Sequence, residues 1–451
     1  MASAKITYTQ VTGSTNGTKI FTISTWVKRA INGVGESIWS SGTASTDSID
    51  LHIDANDNCV FESWDNSVNP KLTTDRELRD PAAWYHIVIA VDSTESVSTD
   101  RMKMWINGVQ QTVFTASVYP SLNYDFPGTG VASDIAKIAV GTQASYTTKY
   151  WSGEMSHFHF VEGTAYTAST FGETDSTSGI WKIKTSPTVT YGNNGFFLKM
   201  EDASNLDLDS SPNALTFTTT GTLTATKDNP SNNFCTMNPI NNYYAGMTLS
   251  NGNTTLVTGS GIYAPLQATL GMAGGKWYWE MKCIASPTNN EYLPGIASTQ
   301  TTSSGAYLGD TANDYSMRSN NGQYYTNASG TAYGSSYDDG DIISIALDLT
   351  NSKLYFAING TWQDSGDPTS GATGTGAISI TAVGSTAFGA YVPAFTYWDS
   401  GTGTVNYNFG NGYFGTTAIT SAGTNASGNG TFEYDVPTGY TALCTKGINS
   451  F

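Results

Sequence analysis

Charge is scarce in this sequence. Only 13% of its 451 residues are Asp, Glu, Lys or Arg, and 20 basic residues stand against 37 acidic ones, a net charge of −17. There is no Lys/Arg run, which excludes an electrostatic grip on nucleic acid or anionic lipid. Low charge beside 39% hydrophobic residues also excludes a mainly disordered chain. No run of about 18 apolar residues occurs, so no spanning helix and no membrane insertion are expected. The opening MASAKITYTQVTGS has no apolar stretch behind a basic region, so no cleavable export leader is expected. The four cysteines, Cys59, Cys235, Cys283 and Cys444, lie far apart and form no CxxC or Cys/His cluster, which argues against a zinc centre built on them. Without an export signal they read as free, buried thiols. Helical periodicity is nearly absent; residues 73–78 and 168–171 are the best candidates, each a single turn between strands.

What is present favours sheets. The chain holds 26 Tyr and 47 Gly, with abundant Thr, Ser and Asn, a composition of strands joined by turns and of surfaces that bind through flat rings. Phe21, Ile23, Thr25 and Val27 alternate along one strand face, and the same two-residue period recurs in WYHIVIAVD (84–92), RMKMWING (101–108) and EMSHFHFVEG (154–163). A polar stretch, residues 215–233, separates this set from a second: GKWYWEMKCIAS (275–286), DGDIISIALDL (339–349), KLYFAING (353–360), AYVPAF (390–395) and GTVNYNFG (403–410). The fold class is therefore all-β, with two antiparallel β-sandwiches of the jelly-roll kind, residues 1–228 and 229–451. MKMWINGV and LYFAINGTW share one phrase, a strand running into Asn-Gly, the pair that accepts positive φ and closes a tight hairpin. Trp26, Trp277 and Trp279 sit in alternating strands and read as core.

FTISTWVKR (21–29), SIWSSG (37–42), WYHIVIAVDST (84–94) and RMKMWINGVQ (101–110), in that order, resemble laminin-G-like domains of the concanavalin A-like lectin/glucanase superfamily. GKWYWEMK (275–282), GIAS (295–298), DDGDIISIALDLTNSKLYFAINGTWQ (338–363), YVPAF (391–395) and VNYNFG (405–410) resemble SPRY domains. GEMSHFHFVEGTAYTASTFGE (153–173), GIWKIK (179–184), LDSSPNALTFT (208–218) and the tail VPTGYTALCTKGI (436–448) look similar to segments of tailed-phage virion proteins, marine phages among them. The resemblance implies a virion surface protein, on head or tail fibre, assembled in the host cytoplasm beside other virion proteins. Its two sandwiches would serve as non-catalytic recognition surfaces for host-surface glycan. Self-association as a homotrimer is the expectation from the same source. The alternatives are a capsid decoration or cement protein that binds no sugar and, more weakly, a glycan hydrolase.

The residues give no support for an enzyme. Retaining glucanases of this superfamily carry E-x-D-x-x-E on alternate strand positions, and nothing here matches; GxSxG, P-loop and HExxH motifs are also absent. Asp50, Asp54, Asp57, Glu62 and Asp65 read as solvated edge and turn residues. His157 and His159 read as the polar face of a half-buried strand, and His86 as packed in a sheet. No cofactor is expected. Were a cation held, it would be calcium in the loops carrying Asp92, Asp100 and Asp125, as in laminin-G-like and lectin relatives. Ligand recognition would use loop aromatics beside amides: Tyr146, Tyr150 and Trp151, Tyr324 and Tyr325, and Tyr397 and Trp398 with Asp399.

Overall fold

The structure is a computed structural model and describes residues 4–11, 17–44, 47–65, 69–127, 137–142, 149–286, 291–399 and 401–450. The chain divides into two compact units, Met1–Ala225 and Thr226–Phe451. Both are antiparallel β-sandwiches.

In the first unit an eight-stranded sheet runs in the order Phe114–Val118, Lys71–Glu77, Asn58–Trp64, Asp47–Ile53, Glu36–Ala44, Lys137–Val140, Lys5–Thr9, Thr218–Thr220. A six-stranded sheet runs Phe196–Leu198, Glu154–Glu162, Ile20–Lys28, Trp84–Asp92, Met102–Ile106, Val109–Gln110. Alternation decides what meets between them: Trp39, Ile49, Leu51, Ile53, Phe61 and Leu72 from one sheet, Phe21, Ile23, Val27, Ile87, Ile89, Phe158 and Phe160 from the other. Residues 73–78, expected as a helical turn, lie almost wholly in the strand Lys71–Glu77; the β-branched pair Thr73 and Thr74 suits a ladder beside Val60. Ala168–Thr170 is a 3-10 turn.

The back of the six-stranded sheet is not open. Tyr166, Phe171, Trp181 and Tyr191 close over Val88, Ala90, Trp105, Val161 and Phe197 as a second apolar layer. His86, His157 and His159 are buried beneath it, which corrects the half-buried polar face expected for the latter two. His86 stacks on Trp26 at 4.7 Å and, through Nδ1, accepts from Trp181 Nε1 at 3.0 Å. Trp26 is thus buried outside the inter-sheet core. His159 lies over Phe197 at 3.9 Å and meets the Tyr191 hydroxyl at 2.9 Å.

The second unit sets a nine-stranded sheet, with Lys276–Ala285, Ile342–Asp348 and Lys353–Ile358 at its centre, against six strands led by Tyr292–Ala297 and Val392–Tyr397. Trp277, Trp279, Met281, Ile343, Ile345, Phe356, Phe395 and Tyr407 fill the space between. On the outer face, Tyr278 joins Phe432, Val436 and Tyr440 of the C-terminal segment. Glu280 pins that segment: its carboxylate accepts from the amides of Glu433 and Tyr434 (both 2.9 Å), from the Tyr278 hydroxyl and from Asn408 Nδ2. The segment then returns to the unit's beginning, where Phe234 bridges Cys444 and the Thr445 amide donates to the Asn233 carbonyl at 2.9 Å.

The two Asn-Gly turns are built alike. Asn107 and Gly108 have φ of 49° and 77°, Asn359 and Gly360 48° and 78°. Each Asn side chain also accepts an amide from the neighbouring strand, Asn107 from His86 at 2.7 Å and Asn359 from Ile342 at 2.9 Å. A Cβ at Gly108 would strike the Trp181 ring and one at Gly360 the Tyr434 ring, so both glycines are required twice over.

Cys59, Cys235, Cys283 and Cys444 are buried thiols outside any disulfide, and burial pushes the Cys59 thiol up to about 12. Native protein mixed with an aromatic disulfide reagent is therefore expected to show no fast thiol, and all four after denaturation. A fast-reacting native thiol would mean that a core opens readily. Among the described residues no helix is long and apolar enough to cross a membrane.

Candidate recognition face

The hairpin that links Tyr315–Met317 to Gln323–Thr326 turns at residues 318–322, with Gly322 at positive φ. It places Arg318 at the sheet margin. Its guanidinium grips Glu291 with two parallel bonds, Nε and Nη2 to the two carboxylate oxygens at 2.6 Å each, while Asn320 Nδ2 donates to the same carboxylate at 2.6 Å. Fixed in this way, the guanidinium lies 4.4 Å from the centre of the Trp398 ring and 5.7 Å from that of Tyr325. Trp398 in turn stacks on Tyr307, centroids 4.3 Å apart and planes 12° from parallel, and Tyr325 meets Tyr307 edge-on at 6.2 Å. Burial pushes the Glu291 carboxyl up although Arg318 opposes it, and nearby Asp399 adds to the rise. The rings of Tyr307, Tyr325 and Trp398 are each half-buried, and Asn320 and Asn321 stand exposed beside them. Gln323 accepts from the Tyr325 hydroxyl at 3.3 Å. Trp398 is held between the Tyr307 ring and the Arg318 guanidinium, so these half-buried rings present edges, and edges bordered by amides can meet an apolar ring face and bond its hydroxyls.

Of the aromatics singled out from sequence, Tyr325 and Trp398 come together here, with Asp399 buried behind them. Tyr397 does not. It is the last residue of the strand Val392–Tyr397 rather than a loop residue, and its buried ring packs on Tyr292 at 5.4 Å. Its neighbour Trp398 has opposite parity and faces outward. Tyr324 likewise turns from Tyr325 toward Tyr333. In the first unit, Trp151 packs against the core and donates from Nε1 to the Glu154 carbonyl at 3.2 Å, and half-buried Tyr150 bridges Thr142. Tyr146 lies outside the described residues. Tyr307, Arg318, Glu291 and Asn320 were missed; only the RSNNGQYY hairpin (318–325) carried a signal for any of them.

The calcium candidates are not brought together. Asp92 accepts from the Thr94 amide and hydroxyl, Asp100 pairs with Lys103 at 3.0 Å, and Asp125 accepts from the Thr18 hydroxyl at 2.6 Å. Asp92 and Asp100 serve their own turns and Asp125 ties to a distant segment, and among the described residues none joins a cluster of three His, Cys, Asp or Glu side chains. Asp50, Asp57 and Glu62, expected as solvated, are buried.

Residues 3–169 match the family model of the concanavalin A-like lectin/glucanases superfamily, and residues 276–386 that of the SPRY domain. The chain thus carries a stretch similar to concanavalin A-like domains followed by one similar to SPRY domains. These two matches point to a carbohydrate- or protein-binding module. Solved structures similar to it include the SPRY domain of human HERC1, 20% identical over 36% of this chain and 91% of that one with a TM-score of 0.29. A human SPRY domain is 14% identical over 36% and 93%, TM-score 0.27, and a native heptameric SAP-like pentraxin from Limulus polyphemus 16% over 37% and 78%, TM-score 0.25. No curated protein matches the chain.

Proposed function

We propose that this protein is a bacteriophage virion surface component, on head or tail, that holds host-surface glycan without cleaving it. The observation that carries the recognition step is the Tyr307, Trp398, Arg318 and Tyr325 stack with its border of amides. The virion setting draws on the phage-like segments at 153–173 and 436–448. Many copies on one particle, as homotrimers beside other virion proteins, raise effective concentration, so each site needs only modest affinity.

Hydrolysis is the weaker reading for a physical reason. Asp50 and Glu62, direct partners on neighbouring strands, are 2% and 8% exposed. One oxygen of each is taken by Ser37 and Lys71, so this pair presents no general acid to a sugar.

The test is a glycan array with the full chain, followed by affinity measurement on the best ligand. Trp398→Ala is expected to weaken that affinity by about tenfold, the worth of one well-placed ring contact. A ligand bound equally well by the variant would remove the proposed face. The cement reading draws on a separate feature, Ile240 and Tyr243, which are 58% and 87% exposed. Absence of all glycan binding together with loss of particle stability when the protein is omitted would favour it.

A further inference from the structure

The outward face of the eight-stranded sheet carries a cluster that the recognition face does not use. Ile49, Leu51 and Ile53 point into the core, so Asp50 and His52 point the other way. On the adjoining strand Glu62 is the direct partner of Asp50. His52 Nδ1 lies 3.1 Å from Asp50 Oδ2 and 3.9 Å from Glu62 Oε1, and one atom from each of the three residues falls within 4.8 Å of the others.

We propose that Asp50, His52 and Glu62 bind a first-row divalent transition cation, with zinc the best fit. Three features carry this. First, metal bonds of about 2.0–2.1 Å at tetrahedral angles set neighbouring ligand atoms roughly 3.3 Å apart, and the two His52 distances bracket that separation. Secondly, His52 Nδ1 is buried and makes no hydrogen bond, although Asp50 Oδ2 lies 3.1 Å away. An imidazole left in that state, its side chain only 8% exposed, is costly unless something with an empty orbital takes the lone pair. Thirdly, each carboxylate is anchored by its other oxygen. Ser37 Oγ donates to Asp50 Oδ1 at 2.7 Å and Lys71 Nζ sits 3.0 Å from Glu62 Oε2, the outer-shell arrangement that orients ligands.

The donor set selects the cation. One imidazole nitrogen and two carboxylates suit zinc and its neighbours, whereas calcium takes six to eight oxygens and rarely nitrogen. With three protein ligands, a fourth position stays open for water or a ligand oxygen.

The experiment uses the full chain, stripped with a chelator and titrated with zinc alone in the calorimeter, then with cobalt(II) followed by absorbance. The expected result is one zinc per chain and visible cobalt bands of four-coordinate intensity. His52→Gln and Glu62→Gln are each expected to weaken zinc binding by about 100-fold or more, beyond the loss typical of an outer-shell change. Circular dichroism identifies any variant that fails to fold, and the other then decides. Two results overturn the proposal: no zinc uptake by the wild-type chain, in which case the trio is an internal polar network, or unchanged uptake in a folded variant.

Discussion

Between pH 6.5 and 4.5 the first unit is expected to lose stability while the second gains it. All four histidines lie in the first unit, and burial holds His86 down to about 3, His157 down to about 4 and His159 well below its ordinary value. Below 6.5 the unfolded chain takes up protons that the folded one refuses, so stability falls with pH until the folded values are reached. The slope is about 1.4 kcal/mol per pH unit for each histidine, so three of them remove up to roughly 8 kcal/mol by pH 4.5. That is comparable to the whole stability of an ordinary domain. The second unit has no histidine but has Glu280, which burial lifts from 4.5 to about 7 against the pull of its four hydrogen bonds. Here the folded state keeps a proton that the unfolded state gives up, so stability increases by about 3 kcal/mol as pH falls from 7 to 4.5. Calorimetry of the full chain across this range, with hydrogen exchange assigning each transition, should show the two transitions moving apart. Parallel movement would mean that the three imidazoles are solvated.

The second large effect is expected at Asp57. Its turn holds positive φ, which Asn tolerates, so Asp57→Asn removes the charge and keeps the backbone. The carboxylate accepts from Arg29 Nη1 and the Gly33 amide, both at 2.7 Å, and from Arg79 Nε at 2.9 Å. Burial opposes the charge, yet these bonds hold the carboxyl below its usual range. The Arg29 side chain is fully buried, and its next acidic neighbour, Glu36, stands 3.8 Å away. An uncompensated buried guanidinium costs about 3–5 kcal/mol, which denaturant melts of the first unit would register. A loss below about 1 kcal/mol would show that Glu36 takes over the pairing.

Strand identity was legible wherever alternation met a turn signal, as in Phe21 to Val27 and at both Asn-Gly hairpins. Alternation tells which residues share a face, but not whether that face is covered. For this reason Asp50 and Glu62 were read as solvated and His157 and His159 as half-buried: the layer of Tyr166, Phe171, Trp181 and Tyr191 over the histidines comes from a segment whose own pattern is irregular. The pair Tyr397 and Trp398 failed by one position. With Asp399 and Gly401 following, it looked like a loop, but the ladder with Tyr292 carries the strand through Tyr397 and sends the two rings to opposite sides. Glu291, Tyr307 and Arg318 meet only because two strand ends and the long loop between those strands converge, a condition that no local spacing encodes.

Phe234 and Cys444 leave the second unit's entry and exit as hydrogen-bonded neighbours. A chain can therefore step out to this sandwich and step back at nearly the same point. Such a cassette can be grafted into a surface loop of an unrelated scaffold, because its two cut ends span no more than an ordinary turn and the closure entropy stays small.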